Sequence, residues 1–283
     1  MDSVTLWWAC LAAVALLNSG LWVFARRRLA QRNDLPAEVR ATRQWVLWLS
    51  LGYVLGCAFR SLLPLVDAPR TCLLDVWISR VGISRSVATI AELCFVAQWA
   101  LLLREAGRNT GDRFAMLAAQ LPIPLIVLAE ISCWTAVLST NYFFHLVENS
   151  LWTLTTAVIA AGCLSLRPRL AGGPQRCVTA AIAFALVYIT FMLSFDLPMY
   201  FSRWRADLAA GRQYLSLAEG MHEVLERCTV TFDWTRWRSE AAWMTPYFTF
   251  GVWVSIALAH VPPLVRGPLG RQGGTDGPAN TIR

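Results

Sequence analysis

Seven long apolar runs, separated by segments that carry most of the charge, dominate the hydrophobic pattern of this chain. A helix needs about 20 residues to cross roughly 30 Å of hydrocarbon, and each run has about that length. We therefore predict an all-α integral membrane protein, a bundle of seven transmembrane helices. The predicted spans are 4–25, 45–66, 84–103, 114–138, 142–166, 177–200 and 243–261.

The composition agrees with a membrane location. The chain has 283 residues, of which 56% are hydrophobic and 15% are charged, whereas a soluble domain carries about 25% charged residues. All 25 basic residues are arginine, so no lysine is present to form a Schiff base with retinal, and a working rhodopsin is excluded. The formal charge of +7 reflects membrane topology, and we expect no nucleic-acid partner.

The placement of arginine predicts the orientation. Arginines cluster after the first, third and fifth runs and in the C-terminal tail, whereas the N-terminus and the turn after the fourth run carry none. The positive-inside rule therefore places the N-terminus outside and the C-terminus in the cytoplasm. The segment between the sixth and seventh runs holds six arginines, but long loops cross largely regardless of charge. We expect a multi-pass protein of the cell membrane, specifically of a bacterial inner membrane.

The segments outside the spans have predicted structure of their own. Residues 67–83 mix apolar side chains with arginine, which is typical of a short helix lying in the membrane interface. The outer loop 201–242 is predicted to be structured, with one or two helices in its first part. Pro246 suits the first turn of the seventh helix. Residues 1–261 form one transmembrane domain, and the tail 262–283 is predicted to be disordered and cytoplasmic.

Two of the eight cysteines differ from the others in their position. Six lie within or at the ends of the spans, where free cysteine packs as a small apolar group. The other two, Cys72 and Cys228, lie in the two outer segments. Because an outer compartment is oxidising, we predict a disulfide between them.

Polar and ionisable side chains recur at one level of the predicted spans. The run 84–103 carries Glu92 where hydrocarbon is expected, and an ionisable group there is costly unless it is paired or functional. At about 1.5 Å per residue, seven such residues fall in the outer leaflet. They are Arg60, Glu92, Glu130, His145, Glu148, Asn149 and Asp196. Because lipid cannot hydrogen-bond them, we expect them to face a polar chamber that opens toward the outside.

The helix spacing supports this chamber. Arg85, Thr89 and Glu92 follow one another at i, i+4 and i+7, which places them on one helix face. Pro122 and Pro124 should interrupt the fourth helix below Glu130 and free backbone carbonyls beside the chamber.

Three kinds of function fit such a chamber. It could bind or pass a small ligand, an ion or a lipid headgroup, as in a transporter, receptor or sensor. It could instead be the site of a membrane-embedded enzyme, in which Glu92 and Glu148 act as acid and base on a lipid whose phosphate Arg60 or Arg85 holds. A single metal ion in that enzyme would have four candidate ligands: Glu92, Glu130, His145 and Glu148. In the third case Arg60 neutralises one carboxylate and the polar groups fix helix packing in a structural subunit.

The expected partners follow from these alternatives. They are membrane lipid, a small ligand, ion or lipid headgroup, and a further membrane protein if the chain signals, since it carries no output domain. The pattern does not identify the substrate.

Overall fold

The computed structural model describes residues 2–67, 70–226 and 228–265. Within them, seven helical spans are long and apolar enough to cross a membrane, as predicted, and the chain is a multi-pass membrane protein. The spans cover Ser3–Ala30, Ala37–Leu62, Val81–Thr110, Arg113–Ser139, Tyr142–Arg169, Gly172–Ala209 and Trp234–Leu258. Most are longer than the predicted runs, because hydropathy marks only the part of a helix that lies in hydrocarbon.

The third span is central to the bundle. The helices of the spans are α1 (Ser3–Ala30), α2 (Ala37–Leu62), α3 (Val81–Thr110), α4 (Arg113–Ala118), α5 (Pro122–Ser139), α6 (Tyr142–Leu166), α7 (Gly172–Phe191), α8 (Leu197–Ala209), α10 (Trp234–Pro246) and α11 (Val252–Leu258). A further helix, α9 (Leu217–Val224), lies between the last two spans. Consecutive long helices pack side by side, and α3 contacts α2, α5, α6 and α11. A polar side chain on α3 can therefore reach several other helices.

The fourth span is divided, as the two prolines predict. α4 ends at Ala118 and α5 begins at Pro122, so the first proline occupies the first helical position, where its missing N–H removes no helical hydrogen bond. α5 then continues without a break to Ser139.

The turn between the third and fourth spans is fixed by a buried carboxylate. The Asp112 side chain accepts hydrogen bonds from the Ala115 amide at 3.1 Å and from the Ser165 hydroxyl at 2.5 Å, and it pairs with Arg169 at 3.0 Å. Burial tends to raise the pKa of Asp112, but these hydrogen bonds and the guanidinium together hold it below its usual value. The carboxylate therefore joins this turn to the end of the fifth span.

The last two spans begin or end differently from the prediction. The sixth continues past Tyr200 through α8 to Ala209, because the first helix-ending glycine is Gly211, which has a φ of 62°. The seventh begins at Trp234, so Pro246 lies at the end of α10 and not in a first turn. Each span contains one π-helical segment, Met192–Asp196 and Tyr247–Gly251. The second follows Pro246 directly, which is a usual response to a proline inside a helix.

A small sheet covers the end of the bundle at which Asp2 lies. The strands β1 (Leu65–Val66) and β2 (Thr71–Cys72) are antiparallel, and β3 (Thr229–Val230) pairs with β2 in parallel. Cys72 and Cys228 form the predicted disulfide. The interfacial helix predicted over 67–83 is replaced by β2 and one 3-10 turn, Trp77–Ser79, because β2 finds backbone partners on β3, where Thr71 pairs with Thr229, 158 residues away.

The described parts of residues 63–80 and 210–233 form what we call the cap. Its helix α9 packs closely on the end of α5: a Cβ at Gly220 would lie only 2.0 Å from the Leu138 carbonyl oxygen. The Leu215 amide donates to the Ser139 carbonyl at 3.1 Å, and Arg70 forms an ion pair with Glu223. The cap is therefore attached to the bundle by main-chain contacts, and its two segments are held together by the disulfide and the Arg70–Glu223 ion pair.

At the opposite end, a buried ion pair joins three spans. Arg43 donates to both carboxylate oxygens of Glu105 at 2.7 and 2.9 Å and to the Val261 carbonyl at 2.9 Å. Its Nη2 also donates to the Pro262 carbonyl at 3.3 Å, and Leu264 is buried. The predicted disorder therefore does not begin at residue 262. Residues 266–283 lie outside the described part of the chain.

Candidate functional site

The guanidinium of Arg85, on α3, is the centre of the candidate site. Its Nη2 donates to Glu130 Oε2 at 3.0 Å and lies 3.1 Å from Glu92 Oε2. Glu92 comes from the same helix and Glu130 from α5. All three side chains are buried, so water weakens their interaction little. One cation is thus shared by two carboxylates from two helices.

Two neutral side chains complete this centre. The Thr89 hydroxyl donates to Glu130 Oε2 at 2.5 Å, and the Trp134 indole N–H donates to Thr89 Oγ1 at 3.1 Å. Thr89 lies between Arg85 and Glu92 on α3. The structure therefore brings together the three residues whose spacing indicated one polar face.

Several buried polar atoms near this centre have no hydrogen-bond partner among the described residues. They are Glu130 Oε1, Arg85 Nε and Ser84 Oγ. Leaving such an atom unsatisfied costs about 1–3 kcal/mol, so buried groups of this kind are normally paired with protein, water or a ligand. The centre thus has hydrogen-bonding capacity left for a water, a proton or a ligand.

A second group of side chains lies one helix turn further along α5. Cys133 follows Glu130 by three residues, and its thiol is near the side chains of His145 and Glu148 on α6. His145 Nδ1 is 2.8 Å from Glu148 Oε2. The ligand atoms of Cys133, His145 and Glu148 all lie within 4.8 Å of one another.

The sixth span contributes an aromatic and acidic edge to this group. Asp196, at the end of the π-helical segment, is half-buried and close enough to His145 and Glu148 to interact with their charges. The ring of Tyr200 lies 5.1 Å from that of His145, and the Arg203 guanidinium lies 5.8 Å above the Tyr200 ring. Asp196 is therefore part of the same electrostatic group.

Two predicted members take no direct part in it. Arg60 is buried, but its guanidinium donates to the Leu65 carbonyl at 3.3 Å, and within the described residues it forms no ion pair. Arg85, and not Arg60, neutralises the carboxylates, because its position on the central helix α3 faces α5. Asn149 is half-buried, and its backbone carbonyl accepts a hydrogen bond from the Thr153 hydroxyl.

The carboxyl groups outnumber the cations in this region. Glu92, Glu130 and Glu148 lie around the buried Arg85 guanidinium, and Asp196 interacts with the charges of Glu148, His145 and Arg203. Among the described residues, Arg85 forms ion pairs with Glu92 and Glu130, and His145 pairs with Glu148 when the imidazole is protonated. A buried carboxylate without a counter-charge is costly, so the excess must be relieved by protons or by a bound cation.

The expected chamber is closed in this structure. Arg85, Glu92, Glu130 and Glu148 are each at most 9% exposed. An apolar cluster that includes Cys133, Val137 and Leu138 of the bundle and Leu65 and Val224 of the cap covers the C-terminal end of α5. The open chamber predicted from the sequence thus corresponds to a buried polar cluster under the cap.

Cys133 was expected to pack as a small apolar group like the other membrane cysteines. Its i, i+3 spacing from Glu130 already indicated that both residues face the same interior. Tyr200 was also missed, because it falls at the predicted end of the sixth span, where aromatic residues anchor helices at the interface.

Comparisons with known proteins do not identify a family for this chain. No protein-family model, no curated protein and no solved structure matches the chain.

Proposed function

We propose that this multi-pass membrane protein binds or passes a small cation, a cationic ligand or a cationic lipid headgroup at the buried acidic cluster. The cluster consists of Arg85, Glu92, Glu130, Glu148 and Asp196. The observation that carries the proposal is the excess of carboxyl groups around one guanidinium. Ionisable residues inside a membrane are rare, and they commonly mark ion, proton or substrate sites.

The free atoms of the cluster support this proposal over a role in packing alone. A packing network would be stabilised by satisfying all its polar atoms, yet Glu130 Oε1 and Arg85 Nε are buried and unpaired among the described residues. The π-helical segment that ends at Asp196 is a second irregular feature beside the cluster, and such segments are frequent at functional sites.

The orientation proposed for the chain places the cluster toward the outside of a cell membrane. The cap contains the disulfide, and disulfides persist in oxidising compartments. The opposite end of the bundle carries Arg26, Arg27 and Arg28 at the end of α1, as the positive-inside rule requires of the cytoplasmic side. A ligand would therefore reach the cluster from the outside, after the cap moves.

A ligand-dependent stability measurement tests the proposal. The purified protein would be heated in detergent with Na⁺, Ca²⁺ or phosphocholine, which represent an ion or a headgroup. We expect at least one of them to raise the unfolding temperature by about 5 °C or more near saturation, because a ligand at 100 times its Kd stabilises the folded state by about 2.7 kcal/mol. The shift should be lost in Glu130→Gln and in Glu92→Gln.

The control is Glu226→Gln, which removes an exposed carboxyl group in the cap and should leave the shift unchanged. If no probe raises the unfolding temperature of the wild type, or if the shift persists in both cluster variants, the proposal is wrong. If both variants unfold before any ligand is added, the carboxylates serve packing, and the structural-subunit alternative is supported instead.

A further inference from the structure

We propose that Cys133, His145 and Glu148 form a binding site for a zinc-like divalent transition metal ion. This inference rests on the proposed function, since it names the class of cation for one part of the acidic cluster. It differs from the four-ligand site expected from the sequence, which used Glu92 and Glu130 and did not include a thiol.

The ligand atoms lie close to the spacing that such an ion requires. Zinc binds thiolate sulfur at about 2.3 Å and imidazole nitrogen or carboxylate oxygen at about 2.0–2.2 Å, so the donor atoms of a tetrahedral site lie roughly 3.3–3.7 Å apart. Here the three donor atoms lie within 4.8 Å of one another, and His145 Nδ1 is 2.8 Å from Glu148 Oε2. Small side-chain rotations would bring all three to one ion.

The two helices that supply these ligands are held firmly together. α5 and α6 pack along their length and are joined by a turn of two residues, Thr140 and Asn141. Thr140 has a φ of 58°, and the Asn141 side chain accepts from the Phe143 amide at 2.9 Å. His145 and Glu148 follow in the first two turns of α6, at i and i+3, and therefore face the same side.

The carboxylates of Glu92 and Glu130 are unsuited to this ion. Both are bound to the Arg85 guanidinium, and a metal ion at their oxygens would lie against that positive charge. Glu148 is instead paired with His145, which is a metal ligand in its neutral form.

The donor set indicates which metal class would bind. A thiolate and an imidazole favour zinc and other transition metals over Ca²⁺ and Mg²⁺, which prefer oxygen ligands. Three protein ligands leave one position of a tetrahedral zinc site open for water or another ligand. Asp196 and Tyr200 belong to the sixth span and lie beside His145, so a ligand at the open position would contact them.

Metal titration of the full-length protein tests the inference. Protein purified without a metal-affinity tag would be stripped with a chelator, reloaded with Zn²⁺ or Co²⁺, and analysed for bound metal. We expect about one equivalent of metal per chain and, with Co²⁺, a thiolate-to-cobalt absorption band in the near ultraviolet. Cys133→Ser should lose the band and weaken Zn²⁺ binding by at least about tenfold, the effect of about 1.4 kcal/mol.

Cys163→Ser is the matched control. Cys163 is also a buried membrane cysteine, but it lies in the apolar core beside α3 and is not close to His145 or Glu148. This variant should bind metal as the wild type does. Should Cys133→Ser fail to fold, the wild type itself supplies the test: Zn²⁺ should protect Cys133, but not Cys10, from alkylation, as measured by mass spectrometry of the digested protein.

The outcomes separate this inference from the proposed function. A folded wild type that binds no Zn²⁺ or Co²⁺, or a Cys133→Ser variant that binds them unchanged, overturns the metal site. A stabilising effect of Na⁺, Ca²⁺ or phosphocholine that is lost in Glu130→Gln would still support the proposed function in that case. Metal binding that requires Cys133, with no response to those three probes, would leave the metal site standing and overturn binding of a cation or headgroup at Glu92 and Glu130.

Discussion

Arg85 is the residue on which the polar cluster depends. Its guanidinium holds two carboxylates, Glu92 and Glu130, that would otherwise be adjacent negative charges inside the bundle. The cost of burying these groups is offset only while both signs of charge are present. Removing the cation should therefore be more harmful than removing either carboxylate.

Replacement of Arg85 by Met is expected to destabilise the protein by about 3–5 kcal/mol, because it leaves uncompensated buried charge. The measurement is the unfolding temperature or the denaturant midpoint in detergent. Adding Glu92→Gln and Glu130→Gln to the same chain should recover part of the loss, since the remaining groups are then neutral.

Arg60→Met is the comparison variant. Arg60 is also buried, but within the described residues it has a single hydrogen bond to a carbonyl and no acidic partner. Its replacement should cost clearly less than that of Arg85. Equal losses in the two variants would show that the ion pairs of Arg85 contribute no special stability.

At the scale of elements, the cap and the end of α5 form one packed unit. Helix α9 approaches α5 so closely that only glycine fits at position 220, and the Leu215 amide bonds to the end of α5. The cap thereby holds the adjacent ends of α3 and α5, the two helices that carry Arg85, Glu92 and Glu130.

Gly220→Ala should displace α9 from the bundle. Its Cβ would lie 2.0 Å from the Leu138 carbonyl oxygen, and a backbone atom cannot rotate away as a side chain can. We expect a loss of about 1–3 kcal/mol, as for an overpacked core, measured by chemical denaturation. Cys133, beneath the cap, should also react faster with a small thiol reagent.

Gly173→Ala is the control for that variant. A Cβ at Gly173 would lie 3.6 Å from Pro262 Cγ, which is an ordinary contact. It should leave the stability and the reactivity of Cys133 almost unchanged. If Gly220→Ala behaves in the same way, the close seating of α9 is not a feature of the protein in solution.

At the scale of the whole molecule, one disulfide joins two segments that are far apart in sequence. Cys72 follows α2, and Cys228 precedes the last span, so the bond closes a loop that includes most of the bundle. Cross-links of long loops stabilise folded proteins by about 2–5 kcal/mol. Here the bond also keeps β3 beside β2 and the cap above the polar cluster.

A membrane-impermeant thiol reagent should test both the bond and the proposed orientation. In intact cells Cys72 and Cys228 should be unreactive before reduction and should become labelled after mild reduction. Reduction should lower the unfolding temperature, because the two segments of the cap lose their covalent link. In a Cys72→Ser, Cys228→Ser double variant, reduction should have no further effect.

Two outcomes would contradict this prediction. Labelling of Cys72 without reduction would show that no disulfide forms. Labelling after reduction only in inside-out membrane vesicles would place the cap in the cytoplasm and reverse the proposed orientation.

The sequence by itself determined the class of the protein and many of the residues of its polar cluster. Seven runs of sufficient length require helices, because only helices satisfy the backbone within an apolar run of that length. The spacing of Arg85, Thr89 and Glu92 also indicated a common face, since helix geometry is local. Likewise, two cysteines outside the membrane left only one natural disulfide.

Only the tertiary structure decided which polar groups meet. Depth along the membrane normal can be counted from the sequence, but the rotation of each helix about its axis and its neighbours cannot. This is why Arg85 replaces Arg60 as the partner of the carboxylates, and why Cys133 joins His145 and Glu148. The cap closes the expected chamber for the same reason: β3 pairs with a strand 158 residues away, and Gly220 of α9 packs on Leu138, 82 residues away.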